Sequence, residues 1–143
     1  MKPTPELVLN QAFAKIAMEM GPALPPGYGQ GSATITGVLL LMVGQEFNRA
    51  AEVRAKENAA MRAIFADAKA GDAGLAAKLR SAAEERDVDL SVSTLDRANG
   101  QLKALLIELQ AQAEQARDRA LELRILRFLS EAASARQVFL PAM

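Results

Sequence analysis

Apolar residues recur every three or four positions along most of this 143-residue chain, and this spacing constrains the fold more than any other feature. It places apolar side chains on one side of an α-helix, whereas a half-buried strand requires strict alternation. The composition favours the same structure: 29 residues are alanine, the best helix former, and the aromatic residues are five phenylalanines and one tyrosine. We therefore expect an all-α fold.

Clusters of glycine and proline divide the chain into four predicted helices of unequal length. At 1.5 Å per residue, each of the two long helices would span roughly 55–65 Å. The simplest packing makes them an antiparallel pair, with the two short helices end to end along one side. We predict a single domain over residues 1–143, an elongated up-and-down four-helix bundle. The short helices lie at about 5–20 and 73–86, and the long ones at about 32–70 and 94–137.

Local signals set the boundaries of the first two helices. Thr4 is a suitable N-cap and Pro5 suits the first helical position, where its missing N–H costs nothing. Gly21 and Pro22 are expected to end this helix, since glycine suits a left-handed cap and proline cannot continue. Ser32 is the predicted N-cap of the second helix after a loop rich in glycine and proline.

The last long helix has two possible starts. Ser93 to Asp96 resembles a capping box with Asp in place of Glu, and Asp87 to Val92 before it reads as extended chain. The pair Asn99-Gly100 is a weak point, costing about 1 kcal/mol relative to alanine, so a start after Gly100 stays open.

Gly37 and Gly44 lie seven residues apart on nearly the same side of the second helix, where a neighbouring backbone has room to approach closely. The surrounding stretch, residues 35–43, is apolar on every side and is expected to be buried on every side.

A single copy with this packing has only three helices in any cross-section, which leaves a thin core. The end of the last helix is also apolar around most of its circumference, and such a segment needs more neighbours than one helix pair provides. We therefore predict a homodimer, formed around a two-fold axis, that buries Leu121, Leu123, Ile125, Leu126, Phe128 and Leu129.

The sequence contains neither histidine nor cysteine. Their absence excludes Ser-His-Asp and Cys-His catalysis, typical zinc sites and histidine phosphorelay. We predict no enzyme activity, no catalytic residues, no metal site and no cofactor. The spacing of Asp87, Asp89, Ser91 and Ser93 resembles the start of a calcium loop, but Val92 and Ala98 replace its glycine and glutamate. A solvated acidic segment is the favoured interpretation.

Two small-ligand sites stay open as hypotheses. Backbone amides leading into the second helix suit an anion, with Tyr28, Gly29, Gly31 and Ser32 as contacts, although the loop has no basic residue. The favoured interpretation is a tight connection with Tyr28 packed as a lid. The second hypothesis is a small-molecule pocket between the long helices. It would be lined by Leu40, Glu46, Phe47, Leu121 and Phe128, with Glu46 either facing the ligand or held in an ion pair.

Charge and hydropathy limit the partners. Seventeen basic residues balance seventeen acidic ones, which disfavours binding to nucleic acid or to an anionic membrane surface. The longest apolar run is too short to span a bilayer, and the N-terminus lacks the apolar core of a signal peptide. We expect a cytoplasmic, non-enzymatic helical-bundle protein that acts through protein–protein association. A small-molecule binding module is the alternative.

Overall fold

The computed structural model describes residues 3–140, and every regular element within this range is helical. The predicted all-α fold is therefore confirmed. A π-helical segment, Ala14–Met20, joins the first two α-helices. The α-helices are α1 (Pro5–Phe13), α2 (Gly21–Ala23), α3 (Tyr28–Asp67), α4 (Ala73–Glu84), α5 (Val92–Ala116) and α6 (Arg119–Ala135).

The helices pack into two compact units. The N-terminal unit contains the residues up to Ala50 together with the C-terminal segment from Val138, and the bundle unit contains Ala51–Gln137. Helix α3 contributes its first part to the N-terminal unit and its second part to the bundle unit. The single domain over residues 1–143 stays a prediction.

The N-terminal unit is built on a close helix pair that depends on two glycines. A Cβ on Gly37 would lie 2.6 Å from the Cβ of Ala17, and one on Gly44 would lie 3.2 Å from the Cβ of Leu9. Residues 5–23 form the first helical segment. Its residue Ala17 lies against Gly37 and its earlier residue Leu9 lies against Gly44, so this segment and α3 run antiparallel. The spacing of these glycines predicts this close approach, and only glycine permits it at Gly37.

The first helical segment does not end at Gly21-Pro22, as the sequence led us to expect. The Gly21 N–H donates to the Ile16 carbonyl, five residues earlier, and helix continues to Ala23. Pro22 follows this last π hydrogen bond, so the widened turn accommodates a residue that has no N–H. The start of α1 agrees with the prediction, since the Thr4 hydroxyl accepts from the Leu7 N–H at 3.3 Å.

Helix α3 begins at Tyr28, four residues before the predicted start, so Ser32 is not its N-cap. Gly27, just before it, has a φ of 144°, which a residue with a side chain rarely adopts. The loop that the sequence predicts between the first two helices, over residues 21–31, is therefore confined to residues 24–27.

The bundle unit encloses the larger core. Helices α3, α4, α5 and α6 each contribute apolar side chains to it, and Asp72 caps α4 by accepting from the Leu75 N–H at 2.7 Å. The buried cluster consists of Met61, Ile64, Phe65, Leu75, Leu79, Leu102, Leu106, Leu109, Ile125 and Phe128.

The predicted long helix at 94–137 is two helices, with the break at Arg117 and not at Asn99-Gly100. Arg117 has a left-handed backbone (φ 55°, ψ 35°), and the Asp118 N–H turns back to the Ala113 carbonyl. The Asp118 carboxylate then caps α6 by accepting from the Leu121 N–H at 3.1 Å. A hydrogen-bonded cap closes one helix and opens the next within two residues.

Helix α5 passes unbroken through Asn99-Gly100 and starts at Val92, ahead of the predicted capping box. Ser91 is its N-cap, since its hydroxyl accepts from the Thr94 N–H. Of the segment Asp87 to Val92 that the sequence suggests is extended, Val88 lies in a bend and Val92 is the first residue of α5.

Candidate association surface

The first part of α3 carries a row of exposed apolar side chains. They are between 40% and 63% exposed to solvent, although large apolar side chains in a helix normally face a core. Most successive members are three or four residues apart and one pair is adjacent in sequence, so all of them lie on one side of the helix. We call this row the α3 face; it consists of Ile35, Leu39, Met42, Val43 and Phe47.

The opposite side of the same helix is already occupied. Gly37, Leu41 and Gly44 are buried against the first helical segment. The expectation that residues 35–43 are buried on every side is therefore wrong for this chain by itself: the glycine side is covered and the α3 face is not.

Helix α3 has no charged residue from Tyr28 to Gln45, and Glu46 is its first. From Ile35 to Val43 the α3 face is therefore bordered by polar residues without charge and by other apolar residues, and Glu46 is the charged residue beside its last member, Phe47. Monomeric proteins rarely expose a contiguous apolar surface of more than a few hundred Å², and larger patches commonly mark interaction sites.

A second apolar row lies on α6, where the sequence places the dimer contact. Ile125 and Phe128 are buried in the bundle core, and Leu121 packs against it. Leu123, Leu126 and Leu129 stay exposed. Charged residues are interspersed with this row, so it is smaller and more polar than the α3 face.

The bundle unit also buries a polar network that sequence analysis missed. The Glu57 carboxylate accepts two hydrogen bonds from Arg136, at 2.6 and 2.9 Å, and one from the Asn99 amide at 2.9 Å. Lys103 lies 3.2 Å from it. The Asn99 amide also donates to Asn58 at 3.0 Å.

The network continues from Asn58 to the chain between α4 and α5. The Asn58 amide donates to the Asp87 carboxylate and to the Leu95 carbonyl, both at 3.2 Å. Arg62 donates to the same carboxylate at 2.9 Å. Hydrogen bonding from Arg62 holds the pKa of Asp87 below its ordinary value, so this aspartate is a structural anion.

Among residues 3–140, Glu57 is the acidic residue that is buried, but its environment does not suit proton transfer. Burial raises its pKa, and the hydrogen bonds from Arg136, Asn99 and Lys103 together outweigh this effect and lower the pKa to about 2. A carboxylate with this pKa is a weak base at neutral pH, where a general base works best with a pKa near 7. The network is therefore a fixed ion cluster joining α3, α5 and the end of α6.

The sequence does contain a signal for this network. Asn99 lies four residues after Leu95 and three before Leu102, so helical spacing places it on the apolar side of α5. Glu57 lies four residues before Met61 in the same way. A polar residue at a core position predicts a buried partner, which apolar periodicity alone does not identify.

The residues of the predicted small-molecule pocket belong to two different units. Leu121 and Phe128 come together in the core of the bundle unit. Leu40, Glu46 and Phe47 belong to the N-terminal unit, where Leu40 and Glu46 are partly buried and Phe47 is exposed. The pocket stays a prediction.

The predicted anion loop is the first turn of α3. Tyr28, Gly31 and Ser32 line a shallow hollow of about 330 Å³ together with Ile35 and Thr36, and none of these residues is basic. The Gly31 N–H already donates to the Gly27 carbonyl at 3.2 Å. Tyr28 is 93% exposed, so it is not a packed lid.

The acidic segment before α5 is used in local structure. Asp89 accepts from the Ser91 N–H at 2.7 Å, which orders the chain before the helix. Within residues 3–140 no group of three or more acidic side chains is arranged to hold a metal ion. Over the same range, no helix combines the length and apolarity needed to cross a bilayer.

Comparison of the chain with protein-family models, with curated protein sequences and with solved structures gives no significant match in any of the three.

Proposed function

We propose that this chain is a non-enzymatic helical protein that functions as a homodimer, and that two copies pair through the α3 face. The observation that carries the proposal is the uncovered row of Ile35, Leu39, Met42, Val43 and Phe47 on a helix whose other side is buried. The absence of histidine and cysteine, and the low pKa of Glu57, support a role without catalysis.

The missing charge favours a second copy as the partner. A basic or acidic partner would be selected by opposite charges around the site, and α3 offers none from Tyr28 to Gln45. A second α3 face brings the same uncharged apolar row. In a two-fold interface each substitution acts twice, because both copies contribute the same surface.

The apolar burial available on two such faces is of the same order as the cost of association. Fully burying a Leu, Ile, Val, Met or Phe side chain contributes about 1.5–3 kcal/mol, and these five side chains have about half of that still to gain. The sum is on the order of 4–7 kcal/mol per copy before the cost of association. Pairing of both faces is therefore consistent with a dimer at micromolar concentration.

Sedimentation equilibrium of matched variants tests the proposal. Leu39 is 54% exposed on the α3 face and Leu126 is 50% exposed on α6, so both can become glutamate without disturbing a core. We expect the unmodified chain and Leu126→Glu to be dimers at 10–20 µM. We expect Leu39→Glu to raise the dimer Kd roughly 100-fold or more, because it places two carboxylates in an apolar contact.

Three outcomes would overturn the proposal. A monomeric chain at 100 µM removes the dimer altogether. Dissociation by Leu126→Glu with no effect of Leu39→Glu moves the interface to α6. Flotation of the unmodified chain with neutral phosphatidylcholine vesicles, abolished by Leu39→Glu, identifies the partner of the α3 face as a lipid surface instead of a second copy.

A further inference from the structure

The C-terminal segment of the chain lies over a groove in the N-terminal unit. The groove has a volume of about 450 Å³, and Phe13, Met18 and Leu41 give it an apolar lining. Asn10 and Gln45 are the polar side chains on its wall, and Phe139 and Leu140 close one side. This surface is separate from the α3 face, since Leu41 lies on the buried side of α3.

Gln45 holds the segment by its backbone. The Gln45 side-chain amide donates to the Phe139 carbonyl at 2.6 Å, and the Gln45 side-chain oxygen accepts from the Phe139 N–H at 3.1 Å. One side-chain amide thus pairs with both backbone groups of a single residue, as a neighbouring strand does in a sheet. Such pairing recognises an extended backbone whatever side chain it carries.

The side chains of the segment contribute less to its binding. Phe139 and Leu140 are 64% and 65% exposed, so the groove is covered but not filled. The Oδ1 of Asn10 is buried and accepts no hydrogen bond from the residues that the structure describes. The segment is therefore held mainly through its backbone, and apolar volume of the groove stays unfilled.

We propose that this groove is a binding site for an extended apolar peptide, that the chain's own segment Val138–Leu140 occupies it in the structure described here, and that the same segment supplied as a separate peptide can replace it. Gln45 is the residue that recognises the peptide backbone, and Phe13, Met18 and Leu41 form the apolar lining of the site. The site does not depend on dimerisation through the α3 face.

The attached segment competes with a separate peptide through its high local concentration, which is in the millimolar range for a short tether. Phe139→Pro removes the N–H that donates to Gln45 and disturbs no helix or buried core, because Phe139 follows the last helix and is exposed. This full-length variant therefore frees the groove without removing any residue.

The probe is a fluorescein-labelled peptide with the sequence of residues 136–143, measured by fluorescence anisotropy. We expect the Phe139→Pro chain to bind it saturably, at least tenfold more tightly than the unmodified chain does. Adding Gln45→Met, which keeps the size and removes both hydrogen bonds, weakens binding tenfold or more. The matched control Gln101→Met, at an exposed glutamine of α5, leaves binding unchanged.

A second peptide isolates the backbone contact. An N-methyl group on the Phe139 nitrogen keeps the side chain and removes the N–H, and we expect this peptide not to bind. Absence of saturable binding to Phe139→Pro overturns the proposal, as does binding that is insensitive to Gln45→Met or to N-methylation. In the full chain, hydrogen exchange at the Phe139 amide should be slower than in Gln45→Met, and equal rates would refute the intramolecular contact.

Discussion

At the scale of single residues, the structure depends on Glu57, a buried carboxylate with three donor side chains. Asn99 and Lys103 come from α5 and Arg136 directly follows α6, so the anion on α3 holds these three elements together. Glu57 is the buried charge of this cluster, whereas the side chains of Arg136 and Lys103 are partly exposed, so the hydrogen bonds and charges around Glu57 compensate for its burial. The stability of the bundle unit should therefore depend on the ionisation of this one group.

Glu57→Gln should lower the free energy of unfolding by about 2–3 kcal/mol at pH 7. The pKa of Glu57 falls from an ordinary 4.5 to about 2 on folding, so its stabilising effect is complete above pH 4.5 and is lost as the pH falls towards 2. Urea unfolding at pH 7, 5 and 3 checks this: the difference between the unmodified chain and the variant should shrink at pH 3.

Glu52→Gln is the matched control, since Glu52 forms an exposed pair with Lys56 one turn before Glu57. Exposed pairs contribute at most about 1 kcal/mol. A Glu57→Gln difference that is the same at pH 7 and pH 3, or no larger than that of Glu52→Gln, contradicts the assignment.

The position of a side chain in the core was predictable from the sequence where the pattern was apolar. Ile125 and Phe128, in the apolar end of the last predicted helix, are buried, and Gly37 and Gly44 make the close approach that their seven-residue separation predicts. Asn99 was misread as a weak point in a helix because glycine follows it. Its hydrogen-bond partners, Glu57 and Asn58, lie more than forty residues away, and no local pattern connects them.

At the scale of secondary-structure elements, the break between α5 and α6 shows how a cap is hidden from sequence analysis. The left-handed position that ends α5 is usually glycine or asparagine, and here it is Arg117. A residue with a Cβ pays roughly 1–2 kcal/mol for this conformation. The only local signal was Asp118, which suits the N-cap of α6.

Arg117→Gly should therefore stabilise the bundle unit by about 1 kcal/mol, because glycine adopts a left-handed backbone without steric cost. Arg127→Gly, at an exposed position inside α6, should have the opposite sign and destabilise by about 1 kcal/mol. Urea denaturation of both variants measures the two changes. If both destabilise equally, the left-handed conformation of Arg117 is refuted.

At the scale of the whole molecule, the two units differ in how much they bury. The bundle unit encloses ten buried apolar side chains in one cluster. In the N-terminal unit the buried apolar side chains are Phe13, Leu41 and Ala50, among the residues from 3 to 50 and from 138 to 140. Apolar burial is the main favourable contribution to folding, so resistance to local unfolding should differ between the units.

Amide hydrogen exchange should show this difference directly. We expect amides of α1 and the first part of α3 to exchange at least tenfold faster than those of α5 around Leu106 when the protein is dilute. If the α3 face forms the dimer, raising the protein concentration should slow exchange in the first part of α3 and leave α5 unchanged. Equal protection in both units at all concentrations would contradict this account.

The π-helical segment Ala14–Met20 makes the number of residues before Pro22 structurally important. The hydrogen bonds of a π-helix span five residues, whereas those of an α-helix span four. The segment Ala14–Met20 therefore contains one residue more than an α-helix of the same length would. Deleting it would restore α geometry and bring the Pro22 ring against the carbonyl four residues earlier. Replacing Pro22 alone would remove the clash that the extra residue relieves, while the extra residue would stay in the helix. Chain length at this point and the identity of residue 22 are therefore coupled, and we expect a one-residue deletion within Ala14–Met20 to be tolerated better when Pro22 is also replaced.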